Sequence, residues 1–139
     1  MDPIHFADVA IGDQLPRLSL PPLGRATLAL FAGASGDHHP LHIDLDYARQ
    51  AGMADVFAHG MLGMAWLGRL LTSWAAQARL RSLDVRFAGI THLGDALTCG
   101  ATVIDKLEHQ GEQQVRLELR AINQHGETKL TGEAVVALP

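Results

Sequence analysis

The second half of the chain alternates apolar and polar residues with a period of two. Residues 83–87 (LDVRF) set Leu83, Val85 and Phe87 against Asp84 and Arg86. Residues 115–122 (VRLELRAI) set Val115, Leu117, Leu119 and Ala121 against Arg116, Glu118 and Arg120. A strand sends successive side chains to opposite faces, so each run predicts a strand with one apolar face. DALTCGATVIDKL and KLTGEAVVAL are further strand-like runs, and Gly111 and the stretch NQHGE fit turns between them.

The first half reads differently. Up to about Leu23 it is Pro-rich (QLPRLSLPPLG), which suits an extended arm leading into a turn. RATLALFAGASG predicts a short helix closing near Gly33 and Gly36. A two-turn helix is expected from Asp44, a good N-cap, to Gly52. Residues 58–78 then place Met61, Leu62, Met64, Trp66, Leu67, Leu70 and Trp74 on almost every side of a long helix. A helix apolar all round has to be wrapped by something, and the only apolar faces left belong to the strands. The expected fold is therefore α+β, an antiparallel sheet curled around one long helix. The open edges of so small a sheet favour dimerisation.

Composition narrows the function. The 139 residues allow one domain, taken as residues 1–139 with 1–10 as a flexible arm. A net charge of −4 with scattered Lys and Arg gives nucleic acid no electrostatic footprint. The longest apolar stretch is broken by Arg69, short of the roughly 20 residues a membrane span needs. With one Cys and no leader-like start, a soluble protein of the reducing cytoplasm is expected.

The candidate chemistry sits in SGDHHPLHID, residues 35–44, which carries Asp37, His38, His39, His42 and Asp44. Adjacent histidines tend to diverge, and no HExxH or Cys pair accompanies them, so no metal is expected. Cys99 has no paired His nearby and reads as a small buried strand residue. Asp37 and His42, five apart across Pro40, could instead form a general acid–base pair for adding or removing water. The alternative is a turn cap and a hydrogen-bonded loop histidine, and the pair alone leaves both open. Gly60, in FAHGML, opens the long helix, where the first N–H groups lack intrahelical partners and can hold a developing negative charge.

These motifs together resemble a family. FAGASGDHHPLHID followed by AHGM is similar to the signature of the MaoC-like (R)-specific enoyl-thioester hydratases and 3-hydroxyacyl-thioester dehydratases, roughly Y/F-A-x-x-S-G-D-x-N-P-I/L-H-x-D and, about fifteen residues on, A-H-G-M. LDVRFAGITHLGD resembles the family's strand leading to a "GD" turn, and TGEAVVALP its last strand. The resemblance covers nearly the whole chain from about residue 11.

It implies the hotdog fold, a long central helix wrapped by a curved antiparallel sheet, and a homodimer or higher homo-oligomer. It implies reversible hydration of trans-2-enoyl thioesters, carried on CoA or acyl carrier protein, with no cofactor. Asp37 and His42 become the catalytic dyad, with Asp37 favoured as the base on water, and the Gly60 N–H the oxyanion donor. His39, His59, Met61 and Met64 become substrate-binding candidates, with Trp66 beside an acyl tunnel. Two positions depart from the pattern: His39 stands where the family usually has Asn, and Gly68 where some members have Ser. A hotdog thioesterase and a non-catalytic acyl-thioester-binding or assembly subunit are the rival readings.

Overall fold

The computed structural model describes residues 2–139. Five strands form one antiparallel sheet: β1 (Leu18–Ser19), β2 (Leu80–Phe87), β3 (Thr98–His109), β4 (Glu112–Ile122) and β5 (Thr128–Ala137). Their spatial order is β1-β3-β4-β5-β2. Three helices precede β2: α1 (Arg25–Ser35), α2 (Leu45–Gln50) and α3 (Gly60–Trp74). This is the α+β hotdog architecture, a curved sheet laid around α3.

Local sequence chemistry explains the pairing. β3 and β4 are joined by Gln110 and Gly111, with φ of 50° and 78°, and His109 pairs directly with Glu112. A two-residue hairpin of this hand needs positive φ at both positions, which Gly111 adopts without cost. The alternation then buries Val115, Leu117, Leu119 and Ala121 on one face of β4 and leaves Glu118 and Arg120 exposed on the other. At Gly132 a Cβ would lie 2.2 Å from the Asp84 carbonyl oxygen, so β5 and β2 meet at a distance only glycine permits.

The main core joins the inner sheet face to Leu67, Leu70 and Leu71 of α3. Each such leucine stabilises the fold by about 1.5–3 kcal/mol on full burial. A smaller cluster, Leu23, Leu28, Ala48, Val56, Ala58 and Leu62, lies beneath α1 and α2. Trp66 packs against both clusters.

Three expectations change in detail. α3 ends at Trp74, and the residues beyond it turn through a short 3-10 segment, Gln77–Arg79, into β2. The sheet covers one side of α3 only: Leu67, Leu70 and Leu71 are buried against it, Leu62 is buried beneath α1 and α2, and Met61 is 54% exposed. The opening residues, read as an arm, dock on the sheet. Phe6 donates its N–H to the Pro139 carbonyl, Val9 is buried, and the Lys106 ammonium donates to the Phe6 and Val9 carbonyls and lies over the Phe6 ring. A long aliphatic cation can satisfy stray carbonyls in this way while its stem packs.

Candidate active site

The chain is brought to the site by a sequence of local hydrogen bonds. α1 closes at Gly36, whose φ of 76° is the left-handed cap glycine favours, with its N–H bonded to the Ala32 carbonyl. Asp37 donates its N–H to Ser35 Oγ (3.1 Å), and its Oδ1 accepts from the His39 N–H (3.2 Å). His39 Nδ1 in turn accepts from the Leu41 N–H (3.2 Å) at the start of a 3-10 turn, Pro40–His42. An Asn side chain, usual at this position in the family's pattern, could make the same bond. Asp44 then caps α2 by accepting from the Asp46 and Tyr47 N–H groups.

His42 leaves this turn pointing at the start of α3. Its Nδ1 lies 2.8 Å from the Phe57 carbonyl oxygen, which can only accept, so Nδ1 carries the proton and Nε2 keeps its lone pair. His59, the N-cap of α3, is 1% exposed, and its Nε2 donates to the Asp37 carbonyl at 3.0 Å. The two imidazoles stack, centroids 4.0 Å apart and planes at 26°. Polar side-chain atoms of Asp37, His42 and His59 all lie within 4.8 Å of one another. Burial pushes the His42 pKa below its ordinary value of 6.5, and the Phe57 carbonyl only partly opposes this. His42 is therefore neutral at pH 7, with Nε2 ready to accept a proton.

The trio has residue types that also hold metal ions, but His42 Nδ1 and His59 Nε2 are engaged by the Phe57 and Asp37 carbonyls, which leaves each ring one free nitrogen.

Beside the trio lies a mainly apolar cleft of about 350 Å³, lined by His59, Gly60, Gly63, Phe87, Ile90 and Thr91 among others. The Gly60 N–H, first of α3, has no hydrogen-bond partner among the described residues and faces no side chain of its own. A Cβ at Gly60 would come 3.2 Å from the Phe87 ring, which packs against that backbone. The far wall is held by a buried polar cluster: Asp95 accepts from the His92 N–H (2.8 Å) and from Asn123 Nδ2 (3.2 Å), with Lys129 Nζ 3.9 Å away. The wall reaches the dyad side through the Ala58 N–H, which donates to the Thr91 carbonyl at 2.9 Å.

The structure thus gathers Asp37, His42, His59 and Gly60. His38 is exposed, its Nδ1 3.2 Å from the Gly36 carbonyl, and His39 sits beside Tyr47 at the rim. Met61 and Met64 are not among the residues lining the cleft. Gly68 has room for a side chain, since a Cβ there would meet only Leu83 at 3.9 Å. Cys99 is fully buried and its thiol is pushed up to about 11 by desolvation, so it is inert packing. Phe87, Thr91 and Lys129 are site residues the sequence did not announce. The one signal was that Phe87, last of an alternating run, had no further strand to cover it.

Comparison with known proteins places this geometry in a family. Residues 4–125 match the MaoC like domain. The chain is 32% identical over 120 residues to the (R)-specific enoyl-CoA hydratase of Aeromonas caviae, covering 84% of this chain and 87% of that protein. The (R)-specific enoyl-CoA hydratase of Rhodospirillum rubrum is 26% identical, covering 97% and 92%. A mitochondrial 3-hydroxyacyl-[acyl-carrier-protein] dehydratase of Arabidopsis thaliana is 28% identical over 78% of this chain, which spans 66% of that enzyme's length. Among solved structures, the R-hydratase PhaJ1 of Pseudomonas aeruginosa superposes with a TM-score of 0.87 at 29% identity, covering 99% of this chain and 86% of that one. No helix among the described residues is long and apolar enough to cross a membrane. The chain belongs to the MaoC-like family of hydratases and dehydratases.

Proposed function

We propose that the protein adds water reversibly to trans-2-enoyl thioesters, giving (R)-3-hydroxyacyl thioesters. The observation that carries this reading is the meeting of Asp37 and a neutral His42 with His59, which lines an apolar cleft together with Gly60, whose amide has no partner among the described residues. The thioester carbonyl accepts from the Gly60 N–H, which with the α3 dipole holds the negative charge that builds on oxygen; such a donor is worth about 3–4 kcal/mol. Water lies between Asp37 and His42. Its O–H bond breaks toward His42 Nε2 as oxygen bonds to Cβ, and the same proton then passes from Nε2 to Cα as the enolate collapses. One imidazole serving both steps from one side gives syn addition and balances the protons. The carboxylate of Asp37 orients the water and steadies the transient imidazolium. The lone pair on Nε2 thus favours His42 as the base, the reverse of the assignment first favoured from sequence.

The family's relatives act on both CoA-linked and carrier-protein-linked chains by name, so either carrier is a candidate here. A second copy is the expected partner. Among the described residues β2 pairs only with β5, which leaves its outer edge open, and Phe87, Ile90 and Met61 are exposed around the same end of α3.

The test is a panel of enoyl thioesters of rising length on CoA and on carrier protein, followed at the enoyl absorbance with chiral analysis of product. Loss of the enoyl band with (R)-3-hydroxyacyl product is expected, and kcat/KM should hold level above pH 6.5 and fall only as His42 becomes charged below it. Free thiol release without hydration would make the protein a thioesterase, and a single-chain mass by light scattering would remove the dimer.

A further inference from the structure

Outside the dyad, the most unusual buried group is His59. It is 1% exposed, and its Nδ1 is a buried polar atom with no hydrogen-bond partner among the described residues. A phenylalanine would fill the same space with no polar atom left unsatisfied, so packing alone does not account for an imidazole here. What the imidazole adds is one bond, from Nε2 to the Asp37 carbonyl at 3.0 Å. What its ring adds is a flat face 4.0 Å from that of His42. Phe31 meets the His59 ring edge-on at 4.9 Å, and Phe57 meets the His42 ring edge-on at 5.2 Å, so the stacked pair is wedged between two aromatic rings.

We infer that His59 is the positioning residue of the dyad: its Nε2–H anchors the loop that bears Asp37 while its ring fixes the tilt of His42, so that both groups stay aimed at one water. The inference rests on the hydratase reading and adds a part that reading does not contain. Asp37 follows a glycine and is exposed, and its only other local restraints are bonds to Ser35 and His39 within its own loop. The bond from His59 is the tie between that loop and α3, the helix that also presents the Gly60 amide. Carboxylate and oxyanion donor are thereby referred to one rigid element. The same contact settles the tautomer of His59. Nε2 holds the proton because a carbonyl can only accept, and a proton on Nδ1 as well would be a buried donor with nothing to receive it. The ring presents a polarisable face to the imidazolium that forms at His42. The charged and titratable neighbours of His42 are Asp37, His39 and His59.

Two variants separate the bond from the face. His59→Gln keeps a donor at the place of Nε2 and loses the ring; His59→Phe keeps the ring and loses the donor. Misplacing a reacting group by about 1 Å costs on the order of 10²-fold. We expect His59→Phe to lower kcat by about 10²-fold with KM changed less than threefold, and His59→Gln to recover most of that loss. His59→Gln should also move the acid limb of kcat/KM upward, because water replaces the ring over His42. Nitrogen-15 NMR of the imidazoles reads the same contact without substrate: in the wild-type protein the His59 Nε2–H proton should be hydrogen-bonded and slow to exchange. Wild-type kcat in His59→Phe, wild-type kcat with an unmoved acid limb in His59→Gln, or a freely exchanging His59 Nε2–H proton would each overturn the inference. If the wild-type protein hydrates no enoyl thioester, the functional reading falls, while the NMR experiment still decides whether His59 holds Asp37 and His42 in place.

Discussion

Two hydrophobic clusters share this chain, and they carry unequal duties. Seventeen buried residues join the sheet to α3, whereas six lie beneath α1 and α2. The smaller cluster supports Asp37 and His42; the larger supports neither. Leu117 and Val115 are fully buried in the main core, and both are paired on two sides in the sheet. Around Asp37 the chain runs through a left-handed cap, two side-chain turns and a 3-10 segment, with most residues exposed. Stability is concentrated in one region and chemistry in the other, joined by α3, whose C-terminal half is core and whose first residue is the candidate oxyanion donor. Sites are commonly drawn from the less stable part of a fold because reacting groups must meet solvent and substrate.

The comparison breaks if a change in one region moves the property of the other. The largest effect is expected at the dyad. Asp37→Asn keeps an oxygen to accept from the His39 N–H, and His42→Ala removes one bond to the Phe57 carbonyl, so neither touches the main core. Each should lower kcat/KM by about 10²–10⁴-fold, the range for general acid–base catalysis. The double variant should be little worse than either single one, since the two hold one water. Thermal melts should stay within a few degrees of the wild-type value. A dyad variant that hydrates enoyl thioesters at full rate would remove the site.

The converse change is Leu117→Ala. Leu117 is fully buried at the centre of β4, and truncating such a leucine costs about 2–5 kcal/mol through lost burial and the cavity left behind. Denaturant melts should show that loss while kcat per folded molecule stays near wild type. A specific activity that fell with stability would mean the two regions are mechanically coupled.

What was legible in the sequence follows the same division. The period of two in β2 and β4, the cap at Asp44 and the glycine at position 60 are local signals, and the structure keeps each. The nearness of Asp37 and His42 was legible because both lie in one loop. The stack of His59 on His42 was not, because it joins residues seventeen positions apart through the fold of α2 and leaves no periodic trace. Nor was the cleft, whose walls come from Gly60, Phe87 and Leu130 on three different elements. Met61 and Met64 were expected at an acyl tunnel because a helix apolar on all sides offers no phase to choose by. Only the packed sheet fixes which side faces inward, and Met61 stays exposed.

The smallest effect tests the departure at the rim. His39→Asn restores the residue usual in the family's pattern, and Asn Oδ1 can accept from the Leu41 N–H as His39 Nδ1 does now. A side-chain cap of this sort contributes about 1 kcal/mol, and here one acceptor replaces another, so the melting temperature should move by no more than a few degrees. His39 stands with its ring centroid 6.1 Å from that of His42 and outside the trio formed with Asp37 and His59, so kcat should change less than about threefold. The three-centre cluster, not the run of adjacent histidines, then carries the chemistry. A tenfold or greater change in kcat, with the melt unmoved, would instead bring His39 into the proton path and redraw the boundary between rim and site.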